Sequence, residues 1–131
     1  MDHHPFADLI DLKIQEQRAG TSVLTLVVGP DHLNPHQVAH GAVLFALADT
    51  GMGAALYPAM SPGEICATIE IKINYFKPVR GGQLRCETEM LNKGKSVANL
   101  QSRLLLDGQL VAVANGNYAI FKPTAAQPST G

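Results

Sequence analysis

The sequence predicts a single α+β domain in which a curved antiparallel sheet wraps round one long central helix. Three observations lead to this fold class: an apolar stretch with helical spacing follows a polar loop near residue 40, strand-like segments occupy the rest of the chain, and short turns join most of them. Strands joined by short turns pair antiparallel, and a helix with so few polar residues must pack against the sheet. A length of 131 residues suits one domain.

The predicted helix begins after the pair His40-Gly41 and ends near Tyr57-Pro58, because proline cannot continue a helix. Its apolar stripe is formed by Leu44, Leu47, Ala48 and Leu56. One carboxylate, Asp49, lies within this apolar segment. An unpaired buried carboxylate costs free energy, so we expect Asp49 to have a hydrogen-bonding partner or a function.

Around the helix, the sequence predicts a short helical turn and six strands. The turn covers residues 5–9, and the strands cover residues 12–18, 21–28, 68–75, 84–91, 96–106 and 109–121. The strand at 68–75 alternates apolar and polar residues with a strict period of two, and Asp107-Gly108 is typical of a tight hairpin turn. We expect the domain to span residues 1–121, followed by a disordered tail rich in Pro, Ala, Ser and Thr at 122–131.

Composition excludes several classes of function. The net charge is −1 without a basic stripe, so we expect no nucleic-acid partner. No apolar run approaches the length of about 20 residues that spans a membrane, and the N-terminus lacks an export signal, which together predict no membrane partner and a cytoplasmic location. Cys66 and Cys86 are expected to be free thiols. The adjacent His3 and His4 lack a preorganised ligand set, so we expect neither a metal nor a cofactor.

The start of the helix contains the candidate catalytic groups. Backbone N–H groups in the first helical turn lack intrahelical partners, and the helix dipole makes that end positive. The N–H of Gly41 can therefore stabilise an oxygen that gains negative charge, although Gly41 can equally serve tight packing. His40 either acts as a general base or holds the loop by hydrogen bonds, and we favour the second role. His36 is expected at the surface or pocket rim. The sequence contains no nucleophile elbow, GxGxxG pattern or P-loop.

Gly41 and Asp49 are eight residues apart, which on a helix corresponds to about 12 Å along the axis. That distance is too long for both residues to act on one reacting carbonyl. They can serve one site only if they come from two copies of the helix that run in opposite directions. A sheet wrapped round one helix also leaves edge strands, so we expect at least a dimer. Alternatively, Asp49 is a structural carboxylate that accepts hydrogen bonds from Asn34 or a backbone N–H.

The spacing of these residues resembles that of a known family. The pattern Asn34-x5-His40-Gly41-x7-Asp49-Thr50 is similar to that of the hotdog-fold acyl-CoA thioesterases, especially the phenylacetic-acid-pathway (PaaI-like) branch. The run Ile73-Asn74-Tyr75-Phe76-Lys77-Pro78-Val79 is similar to the family's strand that ends in a Tyr-x-x-Pro turn. The resemblance covers residues 9–121. It implies the hotdog fold, hydrolysis of an acyl-CoA thioester to the free acid and CoA, and a homo-oligomer (a dimer or dimer of dimers) with active sites at the subunit interface.

The resemblance also implies a role for each matched residue. The Gly41 N–H polarises the thioester carbonyl, and Asp49 of the neighbouring subunit attacks it or activates water. Asn34 helps to orient the nucleophile or water, and His40 supports the loop. Thr68 falls where relatives often carry a hydroxyl residue that positions water.

CoA carries phosphates, which positive side chains commonly meet near the mouth of such a site. Arg80, Lys93 and Lys95 are the candidates in this sequence. Relatives commonly read His-Gly-Gly where this chain has His40-Gly41-Ala42, so a methyl group narrows the approach to the helix end.

Two other functions compete with thioester hydrolysis. A hotdog-fold hydratase or dehydratase normally pairs a catalytic His with an acidic residue in other motifs, which the Asn34, His40-Gly41 and Asp49 arrangement disfavours. A non-catalytic acyl-CoA-binding protein would leave Asp49 without a purpose. The sequence therefore favours a thioesterase acting on an aryl or short- to medium-chain acyl group.

Overall fold

The computed structural model describes residues 4–124. Within that range the helices and strands are, in chain order, α1 (Pro5–Ile10), β1 (Leu12–Arg18), β2 (Thr21–Val27), α2 (Gly41–Leu56), β3 (Ile65–Tyr75), β4 (Gln83–Lys93), β5 (Val97–Leu106) and β6 (Gln109–Phe121). Short 3-10 turns at Pro30–His32 and Tyr57–Ala59 precede and follow α2.

The six strands form one antiparallel sheet in the order β1-β2-β4-β5-β6-β3. The edges of the sheet are therefore β1 and β3. Helix α2 contacts all six strands, so the sheet curves round it. This arrangement confirms the predicted α+β hotdog fold, a curved antiparallel sheet wrapped round one long central helix.

Helix α2 begins and ends where the sequence predicts. The imidazole Nδ1 of His40 accepts a hydrogen bond from the Ala42 N–H at 2.9 Å and caps the helix start, and Pro58 falls in the 3-10 turn that follows Leu56. The helical stretch Gly41–Ala59 has 19 residues and is long and apolar enough to cross a membrane by length and composition. These 19 residues combine α2 with the 3-10 turn that follows it, so the stretch comes closer to the length of a membrane span than the sequence analysis expected. More than half of it is buried inside this domain, as in the core helix of a sheet-wrapped fold.

The helix approaches the sheet most closely at Gly51. A Cβ atom added there would lie 2.6 Å from Oγ1 of Thr88. Side-chain hydroxyls of the sheet bond directly to helix carbonyls: Ser22 donates to the Gly51 oxygen at 2.7 Å, and Ser102 donates to the Ala48 oxygen at 3.1 Å. Thr88 and Ser102 share a further hydrogen bond of 2.6 Å. These buried hydroxyls are therefore all paired, which removes the cost of burying them.

Strand β3 departs from the strict alternation that the sequence predicts. Thr68 pairs with Tyr118 and Glu70 pairs with Asn117, so Ile69 is an extra residue in a β-bulge. Ile69 is 55% exposed instead of facing the core. The bulge shifts by one residue which side chains face the helix. Before the bulge Thr68 faces the helix, and after it Ile71 packs on the core. The prediction of an uninterrupted period of two was therefore wrong.

The other predicted elements agree with the structure apart from their ends. β3 begins at Ile65, three residues earlier than expected, and β4 continues to Lys93. Asp107 and Gly108 have φ values of 51° and 78°, as the tight hairpin turn requires. Of the predicted tail 122–131, residues 125–131 lie outside the described residues, as does His3. The domain boundary at residue 121 stays a prediction.

Two glycines of α2 are expected to respond in opposite ways to the same substitution. Gly51→Ala places a methyl group against Thr88 and should lower the free energy of unfolding by about 1 to 3 kcal/mol. Gly53→Ala meets no atom within 4 Å and should raise it by about 0.5 to 1 kcal/mol through helix propensity. Urea denaturation of both variants checks the pair. Equal effects of the two substitutions would contradict the close approach at Gly51.

Candidate active site

The carboxylate of Asp49 lies between α2 and the strands β3 and β6. Its Oδ1 accepts a hydrogen bond from Thr68 Oγ1 at 2.9 Å and lies in hydrogen-bonding contact with the Tyr118 hydroxyl. The Tyr118 hydroxyl is also 2.8 Å from the backbone oxygen of Asp49. The structure therefore brings together Asp49 and Thr68, two of the candidate site residues. Asn34, considered as a possible partner of Asp49, is not among the groups that bond to it.

The groups around Asp49 are neutral at neutral pH. Tyr118 is only 3% exposed, and burial, followed by its hydrogen bond to Asp49, raises the pKa of its phenol well above the usual range. The thiol of Cys66 lies on the same pocket; burial and, second, the charge of Asp49 raise its pKa. Both side chains therefore keep their protons and add no negative charge beside the carboxylate.

A pocket of about 320 Å³ opens beside Asp49, and its wall is mostly apolar. Gln17 crosses one side of it and donates to the Ala54 oxygen at 3.0 Å, which ties β1 to α2. The aliphatic and aromatic lining comes from α1, β1, α2, the 3-10 turn after α2, and β6, and consists of Phe6, Ile14, Ala46, Ala54, Tyr57 and Tyr118. Within residues 4–124, no three His, Cys, Asp or Glu side chains gather as a metal site would require.

Gly41 lies in a second pocket, also of about 320 Å³, at the start of α2. The Tyr75 hydroxyl donates to the Gly41 carbonyl at 2.8 Å, and a Cβ on Gly41 would be 3.1 Å from that ring. No oxygen of the described residues accepts the Gly41 N–H, which leaves that donor available to a ligand. Because Gly41 and Asp49 line separate pockets, one subunit alone does not bring the two together.

Asn34 and His40 hold the loop that leads into α2. Asn34 Oδ1 accepts from the backbone N–H groups of His36 at 2.8 Å and Val38 at 3.4 Å, and His40 caps the helix. His36 is exposed, as expected. A buried histidine that the sequence analysis did not single out, His32, accepts from the Gly29 N–H at 2.8 Å and bonds the Ile10 oxygen at 2.7 Å. It fastens this loop to α1.

The three candidate CoA-binding cations do not meet within one subunit. Arg80 lies in the 76–82 segment and directly follows Val79, a residue of the Gly41 pocket. Lys93 ends β4 and Lys95 lies in the turn after it. Since β4 spans about 30 Å, the two lysines and Arg80 lie towards opposite ends of the sheet. All three side chains are exposed.

Sequence reasoning missed Tyr118 and Tyr75, the two tyrosines that bond to the helix. A signal for Tyr118 exists in β6, where the other positions on the helix-facing side are Ala112, Ala114, Gly116 and Ile120. A single tyrosine among small and apolar residues on a buried face needs a hydrogen-bonding partner for its hydroxyl.

Comparisons with known proteins identify the family of this chain. The sequence model of the Thioesterase superfamily matches residues 36–113. The acyl-coenzyme A thioesterase PaaI of Escherichia coli K12 is 31% identical over 117 residues, which cover 88% of this chain and 77% of that protein.

Two solved structures share the fold over most of their length. A conserved protein of Pseudomonas aeruginosa superposes with a TM-score of 0.87 at 27% identity, covering 91% of this chain and 95% of its own. A variant of the phenylacetic acid degradation protein PaaI of Thermus thermophilus gives 0.82 at 27% identity, covering 88% and 98%. The fold and these matches identify a hotdog-fold thioester hydrolase. The chain belongs to the thioesterase superfamily and is PaaI-like.

Alkylation of Cys66 is expected to report the charge of Asp49 without any substrate. Because burial and the Asp49 carboxylate both disfavour the thiolate, iodoacetamide should react half-maximally above pH 9.0, the ordinary pKa of the thiol. Asp49→Asn removes the negative charge and should move that midpoint to lower pH. Mass spectrometry of the Cys66 peptide measures the rate.

Cys66→Ala is the control, since burial raises the pKa of Cys86 to about 11 and keeps it unreactive. Identical profiles in native protein and Asp49→Asn would contradict the assigned proximity.

Proposed function

We propose that this protein hydrolyses acyl-CoA thioesters to the free acid and CoA, with an aryl or short- to medium-chain acyl group as the part that enters the pocket. The observation that carries the proposal is the Asp49 carboxylate, held on one oxygen by Thr68 and Tyr118 at the wall of an apolar pocket. The relative from Escherichia coli, named an acyl-coenzyme A thioesterase, supports the same substrate. Hydrolysis by these groups needs no metal and no cofactor.

The proposed site lies between two subunits of a homodimer. Gly41 and Asp49 are about 12 Å apart along α2 and face different pockets, so one thioester carbonyl cannot reach both in one chain. Strand β3 supplies a surface for the second subunit. It is an edge of the sheet, with unpaired backbone groups along one side. It also exposes the large apolar side chains of Ile65, Ile69 and Tyr75.

The register of β3 supports this dimer. Along β3, Thr68 lies next to Asp49 of the helix and bonds to its side chain, whereas Tyr75 lies next to Gly41 and bonds to its carbonyl. If two β3 strands pair antiparallel about a two-fold axis near Ile71, then Thr68 of one subunit lies close to Tyr75 of the partner subunit. Pairing of this kind would bring Asp49 of one subunit towards Gly41 of the other, on the helix side of a continuous sheet. Two such dimers could associate further into a dimer of dimers.

The chemistry follows from the groups at this junction. The Gly41 N–H, aided by the helix dipole, stabilises the negative charge that develops on the thioester oxygen. Asp49 either takes a proton from the attacking water or attacks the carbonyl carbon itself, and the second route forms a mixed anhydride that water then cleaves. In both routes the C–S bond breaks, the acid keeps an oxygen from water, and the CoA sulfur receives a proton. Asn34 and His40 keep the loop before Gly41 in place.

The remaining charged residues suit the CoA portion of the substrate. Arg80 adjoins the Gly41 pocket of one subunit. Lys93 lies at the same height of the sheet as Thr68, because Lys93 pairs with Ala98 on the neighbouring strand, Ala98 pairs with Tyr118, and Tyr118 pairs with Thr68. In the proposed dimer, Arg80 and the lysines Lys93 and Lys95 therefore flank one site from two subunits. The free thiols Cys66 and Cys86 suit a reducing cytoplasmic compartment.

Loss of the Asp49 carboxylate is expected to abolish hydrolysis. Native protein should release thiol from members of a panel of aryl, short-chain and medium-chain acyl-CoAs. Asp49→Asn, which keeps the size of the side chain, should lower kcat/KM by about 10²-fold or more. Glu87→Gln removes a carboxylate that is paired with Arg85 on the solvent-facing side of β4 and should keep native activity.

Three results would count against the proposal. Full activity in Asp49→Asn would rule out the assigned role of Asp49. Binding of acyl-CoA by native protein without cleavage would favour a non-catalytic binding protein. Hydration of an unsaturated acyl-CoA without thiol release would favour a hotdog-fold hydratase.

A further inference from the structure

The hydroxyl of Tyr118 contacts two oxygens of the same residue. It lies in hydrogen-bonding contact with Oδ1 of Asp49 and 2.8 Å from the backbone oxygen of Asp49. A phenol has a single proton to donate, so it serves one of these acceptors at a time. Because both acceptors belong to Asp49, the hydroxyl stays anchored there whichever of them takes the proton.

The Tyr118 hydroxyl keeps its proton, and so stays a donor, above the pH at which an ordinary phenol ionises. Burial and the neighbouring Asp49 raise its pKa well above the usual range. A second donor, Thr68 Oγ1, bonds the same Oδ1 at 2.9 Å. No group of residues 4–124 donates to Oδ2 of Asp49. The two carboxylate oxygens are therefore unequal: one accepts two protein hydrogen bonds, and the other is left for a ligand.

We propose that Tyr118 is a positioning residue for the hydrolysis, which together with Thr68 fixes Oδ1 of Asp49 and so selects Oδ2 as the oxygen that meets water or the thioester. This inference rests on the function proposed above. Tyr118 does not touch the substrate carbonyl in this role; it acts through Asp49. When the carboxylate takes up a proton during turnover, the phenol can donate to the backbone oxygen instead, so Asp49 keeps its rotamer.

The pH dependence of turnover separates this role from simple packing. Removing a donor from an ionised carboxylate disfavours the ionised form, which moves the acid limb of the pH–rate profile to higher pH. The titratable groups that face this pocket are His4 before α1, Tyr57 after α2, Cys66 on β3 and Tyr118 on β6. Of these, only Tyr118 bonds to the carboxylate, so the other three remain as a constant background in the variants below.

Tyr118→Phe is the direct test, because it removes the hydroxyl and keeps the buried ring. We expect kcat to fall by about 10- to 100-fold, KM to change by less than about 2-fold, and the acid limb of kcat to move to higher pH. Thr68→Val should act in the same direction, whereas Thr68→Ser keeps the donor and should recover most of the kcat that Thr68→Val loses. Thr25→Val is the matched control, since it removes a hydrogen bond between a buried hydroxyl and Gln15 away from the pocket and should leave kcat and the acid limb unchanged.

The outcomes distinguish this inference from the proposed function. If native protein cleaves acyl-CoA, Asp49→Asn is inactive and Tyr118→Phe has a native kcat and acid limb, only the role of Tyr118 is overturned. A raised KM with a native kcat would show that Tyr118 only lines the pocket, which would also overturn its positioning role. If Tyr118→Phe does not fold, equal kcat and acid limbs in Thr68→Val and Thr68→Ser would overturn the selection of Oδ2. Native protein that cleaves no acyl-CoA overturns the function and this inference together.

Discussion

The close docking of α2 on the sheet at Gly51 is the constraint on which the rest of the structure depends. With no side chain at this position, the helix backbone comes within hydrogen-bonding reach of Ser22 and Ser102, which bond helix carbonyls directly. These bonds fix the height and rotation of the helix over the sheet. Asp49, two residues before Gly51, points to a different part of the curved sheet, where its carboxylate contacts Thr68 of β3 and Tyr118 of β6. The contacts of Gly51 with β2 and β4, and those of Asp49 with β3 and β6, hold the helix from two sides of the curved sheet.

This docking gives the enzyme a carboxylate in a mostly apolar pocket without leaving it unpaired. An isolated carboxylate in such surroundings would be costly, and two hydroxyl groups on one oxygen offset much of that cost while leaving the other oxygen open. Eight residues earlier, at the start of the same helix, Gly41 presents a backbone N–H that no group of the described residues accepts, and the Tyr75 ring packs against this glycine. One rigid helix therefore carries both halves of the proposed chemistry, and its length keeps them apart. Two antiparallel copies of the helix are the simplest way to combine them.

Features set by neighbouring residues were predictable from the sequence, and features set by distant ones were not. The helix start at His40-Gly41, the helix end near Pro58 and the turn at Asp107-Gly108 depend on a few adjacent residues, and all three were confirmed. The bulge at Ile69 was hidden because the local alternation is perfect, and its position depends on pairing with β6. The partners of Asp49 come from β3 and β6, and no local pattern specifies which side chains of those strands face the helix at that point. Thr68 was found through the resemblance to a family, and Tyr118 was not found at all.

The central claim is that one active site uses Gly41 of one subunit and Asp49 of the other. Mixing two inactive variants, Gly41→Val and Asp49→Ala, tests it most directly. Unfolding and refolding them together would form hybrid dimers in which one of the two sites contains both native residues. The account predicts recovery of about a quarter of native activity, measured as thiol release from acyl-CoA. If the mixture shows no more activity than the separate variants, while native protein refolded in the same way recovers, then the site is not shared between subunits.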